Sequence, residues 1–211
     1  MNDYPVKYIL RSVPLFLFII FISVDLHSQD LYKYIDPFIG SSGGGHIFVG
    51  PSCPFGMVKP GPDCNVHSNS GYDADTTKTV LGFSQVHVSG TGGGPKYGNI
   101  SVMPFEGSFN SIDQESLRSN EVARCGYYSV NLKKWNIKVE LTTSDRAAFH
   151  RYTFSDAGRK GIKIDAGFFL GEEPIPDSRE AQQFVGSEVQ ILSDTSVEGY
   201  SLSSRPYHTA I

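Results

Sequence analysis

The segment "IKVELTT", residues 137–143, carries the polarity pattern that decides the fold, because its apolar and polar residues alternate. The alternating positions are Ile137, Lys138, Val139, Glu140, Leu141 and Thr142. Successive side chains of a strand point to opposite faces of a sheet, so the pattern predicts a strand with one buried and one solvated face. The segment "GIKIDAG", residues 161–167, repeats it and predicts that Ile162 and Ile164 face the core.

Similar short runs flank this segment on both sides. They are "GYYSVNL" (126–132), "RAAFHRYTF" (146–154), "SEVQILSD" (187–194) and "VEGYSLS" (197–203). No stretch sustains the apolar stripe of an amphipathic helix, and "SIDQESLRSNEVA" (111–123) is open to two interpretations, a helical turn or two and a polar surface loop. Many short strands separated by turn-forming clusters predict an all-β fold, an antiparallel β-sandwich.

Length and charge exclude some classes of protein. The 211 residues suffice for one sizeable domain with a real core, or for one domain and part of another. There are 18 basic and 22 acidic residues, giving a net charge of -4. Nucleic-acid binding requires a basic surface, so we expect no nucleic-acid partner.

The first 28 residues have the pattern of a secretory signal. Lys7 and Arg11 precede the apolar run "VPLFLFIIFISV", residues 13–24, which Asp25 ends. That run is short for a membrane span, and Ser28 offers a small residue before a cleavage site. We therefore expect residues 1–28 to be removed, leaving no membrane span. The domain is predicted to occupy residues 29–211 of a periplasmic or extracellular protein.

The three cysteines are Cys53, Cys64 and Cys125, an odd number for an exported protein. A bridge between Cys53 and Cys64 and ordinary buried thiols both remain open, because the sequence does not fix the distance between the two residues. No metal-ligand spacing occurs among the cysteines and histidines, so the residues alone predict no metal site in this chain.

The segment "LGFSQVHVSGTGGGPKYGNI", residues 81–100, contains a glycine-rich loop between two predicted strands. Phosphate-binding loops are excluded by spacing, because Pro95 separates Gly94 from Lys96 and no helix pattern follows. Two interpretations remain. The loop is either a tight connection between strands or a place where the backbone closely approaches a ligand or another domain.

Two longer segments, "YIDPFIGSSGGGHIFVGPSCPFGMVKPGPD" (34–63) and "SGYDADTTKTVLGFSQVHVSGTGGGPKYGNISVMPFEG" (70–107), resemble the N-terminal domain of glycoside hydrolase family 92, the secreted bacterial α-mannosidases. The likeness continues through "GYYSVNL" and "VELTTSDRAAFHRYTF" (139–154), so it covers most of the mature chain. The resemblance implies an exo-acting, inverting, calcium-dependent enzyme that acts on mannose-containing glycans. It also implies an N-terminal β-sandwich packed on a C-terminal (α/α)₆ barrel.

The resemblance also implies which residues line the sugar pocket or the domain interface. These candidates are His46, His87, Ser89, Gly90, Thr91, Gly92, Gly93, Lys96 and Tyr97. Two of the assignments have alternatives, since His46 could merely cap a turn and Lys96 could be a solvated lysine beside a packed Tyr97. The sequence departs from many members at Gln85, where they carry a histidine, and it has no tryptophan shortly before "SGY". The only tryptophan, Trp135, is predicted to be a packing residue.

Inverting hydrolysis requires two carboxyl groups on opposite faces of the sugar ring. The resemblance places both in the C-terminal domain, along with most of the calcium ligands, so we expect no catalytic residue and no activity in this chain alone. The last residues, "GYSLSSRPYHTAI", read as an interrupted strand, which suggests that the sandwich is incomplete at its C-terminal end. The alternative is a free-standing carbohydrate-binding or adhesive β-sandwich without catalysis.

Overall fold

The computed structural model describes residues 31–43, 45–68, 70–89, 97–109, 114–155, 158–171 and 183–204. The chain divides into two units, Met1–Tyr34 and Ile35–Ile211. In the first unit the described residues form a turn of 3₁₀ helix, Leu31–Tyr34, and the Lys33 ammonium lies 5.1 Å from the centroid of the Tyr34 ring. The predicted signal, residues 1–28, lies outside the described residues.

The described part of the second unit is built of antiparallel strands in two four-stranded sheets and a hairpin. The first sheet has the order β1-β2-β3-β8. Its strands are β1 (Gly61–Asp63), β2 (Gly82–Ser84), β3 (Ser101–Glu106) and β8 (Lys160–Asp165). Because β8 pairs with β3, the chain leaves this sheet after β3 and returns to its edge after forming the second sheet.

The second sheet is a meander of four consecutive strands. They are β4 (Arg118–Arg124), β5 (Tyr127–Leu132), β6 (Ile137–Thr143) and β7 (Ala148–Thr153). The remaining strands, β9 (Gln183–Ser193) and β10 (Ser196–Ser204), pair with each other in a long hairpin. The strands β5 to β10 lie where the alternating segments predicted them, and the all-β antiparallel fold is confirmed.

Buried side chains from both four-stranded sheets form one hydrophobic cluster, as expected for a β-sandwich. Its strand members are Phe83, Met103, Tyr128, Val130, Leu132, Ile137, Val139 and Leu141, none more than 1% exposed. Trp135, in the turn between β5 and β6, packs against the cluster, so its predicted packing role is confirmed. Fully burying one such large side chain contributes roughly 1.5–3 kcal/mol.

The opposite face of β6 carries Glu140, which is buried rather than solvated. The Arg151 guanidinium donates to it with Nε at 2.8 Å, the Tyr127 hydroxyl donates at 2.6 Å, and the Lys138 ammonium lies 3.1 Å away. Hydrogen bonds from Arg151 and Tyr127 lower the pKa of Glu140 to about 2. A carboxylate with these partners is satisfied without bulk water.

The prediction that Ile162 and Ile164 face the core is wrong, since they are 53% and 46% exposed. Residues paired across a ladder point to the same side of a sheet, and Lys163 is paired with the buried Met103. The isoleucines therefore occupy the outer face of this edge strand. Lys163 lies on the core side, where it pairs with Asp165 at 3.0 Å.

In the described part of residues 111–123 the helical interpretation is wrong, and the surface-loop interpretation is wrong from Arg118 on, where β4 begins. A register irregularity between Ser119 and Val122 interrupts the ladder with β5, and Asn120 has a φ of 51°. Such a bulge breaks the period-two pattern by which a strand is recognised in sequence.

The three cysteines are free thiols, and Cys53 and Cys64 do not pair. The Cys53 thiol donates to Asp145 Oδ1 at 3.0 Å, whereas Cys64 Sγ is buried and accepts from Arg118 Nη1 at 3.1 Å. Cys125 is exposed, so only Cys64 fits the description of a buried thiol.

Candidate functional site: a polar cleft

A polar cleft of about 350 Å³ lies between two loops of the second unit, residues 41–46 and the first part of the connection from β1 to β2. The lining residues are Ser41, Ser42, Gly43, His46, Asn65, His67, Ser68, Ser70, Tyr72, Asp73, Ala74 and Asp75. Hydroxyl, amide, imidazole and carboxylate groups converge there beside one aromatic side chain. This composition suits a ligand with many hydroxyl groups better than an apolar one.

The first loop folds back on itself at a pair of glycines. The backbone amide of Gly45 donates to Ser42 O and that of Ile47 to Gly40 O, each at 3.2 Å. A side chain on Gly45 would overlap the Gly40 carbonyl group, so glycine is required there. The turn leads into His46, which has a φ of 53° and a half-buried side chain at the cleft.

Side chains of the second loop hold its own backbone in shape. The Asn65 amide group donates to Asp73 Oδ2 at 3.3 Å, and Asn65 Oδ1 accepts from the backbone amide of His67 at 2.9 Å. Asp73 Oδ1 accepts from the backbone amide of Asp75 at 2.9 Å. The Thr77 backbone amide and hydroxyl both donate to Asp75 and lower the pKa of its carboxyl group.

A buried cation supports this loop from the sandwich. The Arg118 side chain, 1% exposed, donates from Nε to Glu121 Oε2 at 3.2 Å and from Nη2 to the Asp73 carbonyl, and it lies 5.2 Å from the Tyr72 ring centroid. The hydroxyls of Tyr72 and Tyr128 donate to Glu121 at 3.0 and 2.6 Å. Burial raises the pKa of both tyrosines, so both remain protonated donors.

A second buried cluster lies behind the middle of the loop. His87 Nε2 is 3.0 Å from Asp63 Oδ1, and His87 Nδ1 is 2.8 Å from the Lys59 carbonyl oxygen. Ser84 donates to Asp63 from its backbone amide at 2.7 Å and from its hydroxyl at 2.9 Å. The Phe48 ring stacks on the imidazole with centroids 4.9 Å apart. The His87 and Asp63 side chains are both fully buried.

Gly71 connects this cluster to the cleft. It lies between the lining residues Ser70 and Tyr72, and a methyl group added to it would lie 2.7 Å from Asp63 Oδ1 and 3.1 Å from His87 Nε2. The Gly71 carbonyl oxygen accepts a hydrogen bond at 2.7 Å from the backbone amide of Cys64, the residue that follows Asp63. The wall of the cleft is therefore in direct contact with the Asp63–His87 pair at Gly71.

Comparison with known proteins identifies the family to which this arrangement belongs. A model of the glycosyl hydrolase family 92 N-terminal domain matches residues 34–210. The chain belongs to glycosyl hydrolase family 92. The family 92 resemblance of the sequence is thereby confirmed, and the matched region is the family's N-terminal domain.

Individual relatives agree with this assignment. The chain is 33% identical over 138 residues to an uncharacterized secreted glycosidase of Arthroderma benhamiae, covering 61% of this chain and 18% of that protein. The fold of the chain is similar to that of a family 92 α-mannosidase from Bacteroides thetaiotaomicron in complex with mannoimidazole, with a TM-score of 0.74 and 27% identity. This match covers 84% of this chain and 24% of the mannosidase chain. A second structure of that enzyme gives a TM-score of 0.73 at 29% identity, with the same coverage. The chain thus spans a quarter or less of the length of these relatives.

The candidate residues implied by the family 92 resemblance lie in different parts of the structure. His46 lines the cleft, whereas His87 is in the interior with both ring nitrogens and one ring face in contact with other residues of this chain. Ser89 accepts from the Phe48 amide at 3.2 Å, and the Tyr97 carbonyl accepts from the Leu170 amide at 2.7 Å. The other candidates, Gly90, Thr91, Gly92, Gly93 and Lys96, lie outside the described residues.

Sequence reasoning missed the partners of His87. In the sequence, no feature distinguishes Asp63 from the other carboxylates, or Ser84 and Gly71 from the other serines and glycines. No signal in the sequence marks them, because the burial of Asp63 at the end of the three-residue strand β1 is visible only in the fold.

The cleft contains groups for binding and lacks a suitable acid among its described residues. Both oxygens of Asp73 accept hydrogen bonds, and the lowered pKa of Asp75 is opposite to what a general acid needs. Within the described ranges, no three His, Cys, Asp or Glu side chains are grouped so that they could hold a metal ion. Nor does any helix there have the length and apolar character to cross a membrane.

Proposed function

We propose that this chain forms the N-terminal domain of an exported, exo-acting α-mannosidase that removes mannose from mannose-containing glycans. Its cleft binds part of the glycan, while a C-terminal (α/α)₆ domain of the same polypeptide supplies the catalytic carboxyl groups. The observation that carries the proposal is the polar cleft, whose lining residues all lie within the region that matches the family 92 N-terminal domain.

The chemistry of the cleft supports a sugar rather than another class of ligand. Sugar hydroxyl groups both donate and accept hydrogen bonds, and the cleft offers serine hydroxyls and the Asp75 carboxylate. The similarity to a Bacteroides α-mannosidase favours mannose among the sugars.

Calcium dependence and inversion of configuration also belong to the proposal. The calcium ligands are assigned mainly to the C-terminal domain, as the family resemblance implies. Inversion needs a general acid and a general base about 6.5–9.5 Å apart on opposite faces of the sugar, and both are assigned to that domain.

Export to the periplasm or the medium is supported by two observations. The basic residues Lys7 and Arg11 precede a short apolar run at the amino terminus. The relative from Arthroderma benhamiae is named a secreted glycosidase. N-terminal sequencing of the exported protein tests this part of the proposal, with a start near Gln29 expected.

The proposed role of the cleft in sugar binding is tested by placing a large side chain in the cleft. In the complete enzyme, Ala74→Trp places a large side chain at an exposed lining position. We expect the KM for an α-linked mannobiose to rise about tenfold or more. Ala147→Trp makes the same change at an exposed alanine outside the cleft lining and should leave KM unchanged. Equal KM values in the two variants would contradict the assignment.

A free-standing carbohydrate-binding module is the second candidate, because the cleft could hold a sugar without a catalytic partner. It predicts that the protein binds a mannan in a pull-down experiment, blocked by Ala74→Trp, while no form of the protein releases mannose. Release of mannose by the complete protein supports the enzyme.

A further inference from the structure

We propose that Asp63 and His87 are positioning residues, a buried carboxylate–imidazolium pair that holds the wall of the cleft in its binding shape. The inference rests on the proposed function, since it concerns the same cleft. It assigns an indirect role to a histidine that the family resemblance assigned to the sugar pocket or the domain interface.

Hydrogen bonding indicates that the imidazole carries both protons. Nδ1 faces the Lys59 carbonyl oxygen at 2.8 Å, and a carbonyl can only accept, so Nδ1 must donate. Nε2 faces Asp63 Oδ1 at 3.0 Å, and an ionised carboxylate likewise only accepts. Ser84 Oγ also lies 3.1 Å from Nε2, so in a neutral imidazole the Ser84 hydroxyl could turn from Asp63 Oδ1 to donate to Nε2. That arrangement would leave the ionised Oδ1 at 3.0 Å from a nitrogen lone pair with no proton between them. Protonation of both nitrogens satisfies both contacts.

Ser84 donates hydrogen bonds to the carboxylate of the pair. Its backbone amide donates to Asp63 Oδ2 and its hydroxyl to Oδ1. Asp63 thus receives three hydrogen bonds, two from Ser84 and one from His87. These bonds stabilise the ionised carboxylate in a fully buried position.

His150 provides an internal comparison, because its contacts fit the neutral ring. Its Nε2 is 3.1 Å from Gln85 Oε1, whose amide group donates to the Phe83 carbonyl at 2.8 Å. Its Nδ1 is 2.8 Å from the Tyr152 hydroxyl, which can donate. One nitrogen therefore donates and the other accepts, and burial lowers the pKa of His150 to about 4.

The pair reaches the cleft through Gly71. Because the Gly71 backbone lies against both Asp63 and His87, and its carbonyl accepts from Cys64 and Asn65, the pair fixes the loop on one side. A buried ion pair contributes little net stability compared with apolar residues of the same shape. We infer that its main effect is on the position of Ser70 and Tyr72, which line the cleft.

The kinetic test uses the complete enzyme with Asp63→Asn, which preserves the shape and removes the charge. We expect the KM for a mannoside to rise about tenfold, with kcat changed less than about threefold, because the cleft is misplaced while the catalytic groups are not. A purely structural role would reduce the amount of active enzyme, which lowers the apparent kcat at constant KM. Glu140→Gln, which breaks an ion pair on the outer face of the second sheet, is the control and should change neither value.

The protonation test needs no variant. In a long-range ¹H–¹⁵N NMR spectrum of the histidine rings at pH 7, both nitrogens of His87 should carry protons, while His150 should show one protonated nitrogen. An unprotonated nitrogen in His87 overturns the ion pair, and an unchanged KM in Asp63→Asn overturns the positioning role. If the wild-type enzyme releases no mannose, the proposed function fails, and the NMR result still decides the ion pair.

Discussion

A methyl group added to Gly71 would lie 2.7 Å from the Asp63 carboxylate oxygen Oδ1, so these two residues fit together only when residue 71 is glycine. Gly71 also has a φ of 68°, in the left-handed region. Two physical requirements, backbone conformation and close approach, thus coincide at one residue of the cleft wall.

Comparing the stability of Gly71→Ala with that of Gly126→Ala distinguishes the effect of the left-handed backbone from the effect of the close approach. Gly126, in the turn between β4 and β5, has a φ of 70° and no atom within 4 Å of an added methyl group. Both substitutions should cost about 1–2 kcal/mol for the left-handed backbone. Gly71→Ala should cost about 1–3 kcal/mol more because its methyl group crowds Asp63 and His87. Urea denaturation measures the difference, and equal losses would show that the contact with Asp63 is unimportant.

Replacing Arg118 by Met should strongly destabilise the domain. The change leaves Glu121 without its cation and the Asp73 carbonyl without a donor. The Arg118 and Glu121 side chains are only 1% and 14% exposed, so water replaces these contacts poorly. Removing one partner of a buried pair costs about 3–5 kcal/mol. The double variant Arg118→Met/Glu121→Met should be less destabilised than Arg118→Met alone. A double variant that is worse than the single would contradict this electrostatic account.

Stability should fall as pH decreases from about 6.5 to about 4, because burial lowers the pKa of His150 from 6.5 to about 4. In that interval the unfolded chain binds a proton at this residue and the folded chain does not, which favours unfolding. The expected loss is about 1–3 kcal/mol. His150→Gln should flatten this part of the profile. Below about pH 4.5 a further loss is expected as Glu140, with its pKa lowered to about 2, approaches protonation.

The three thiols should react at different rates with an aromatic disulfide reagent. Cys125 is exposed and should react first under native conditions. Burial raises the pKa of the Cys64 thiol to about 12, so Cys64 should react only after unfolding. Because no disulfide joins them, a reducing agent should leave Tm unchanged. A drop of ten degrees or so on reduction would indicate a bridge.

The sequence predicted the strands well where the period-two pattern matched burial. β6 is the clearest case, since Ile137, Val139 and Leu141 are all in the core. The prediction failed for Ile162 and Ile164 because alternation shows that two faces differ without showing which one is covered. It failed at β4 because a bulge removes the periodicity and because its buried residue, Arg118, is charged.

The candidate site was predictable only in part. The histidine and glycine motifs pointed to His46 and His87, but their different positions, one in the cleft and one in the interior, depend on contacts across the fold. Asp63 ends β1, and His87 follows the end of β2 by three residues, so the fold brings together two side chains that are 24 residues apart in the chain. A single sequence does not reveal that pairing.

Release of mannose is the measurement that tests the central claim most directly. The 211-residue chain and the complete enzyme that contains it would each be incubated with an α-linked mannobiose, with calcium and with a chelator. Since catalysis needs an acid and a base held on opposite faces of one sugar ring, we predict release only by the complete enzyme with calcium. Release of mannose by the 211-residue chain alone, purified and free of other glycosidases, would contradict the account.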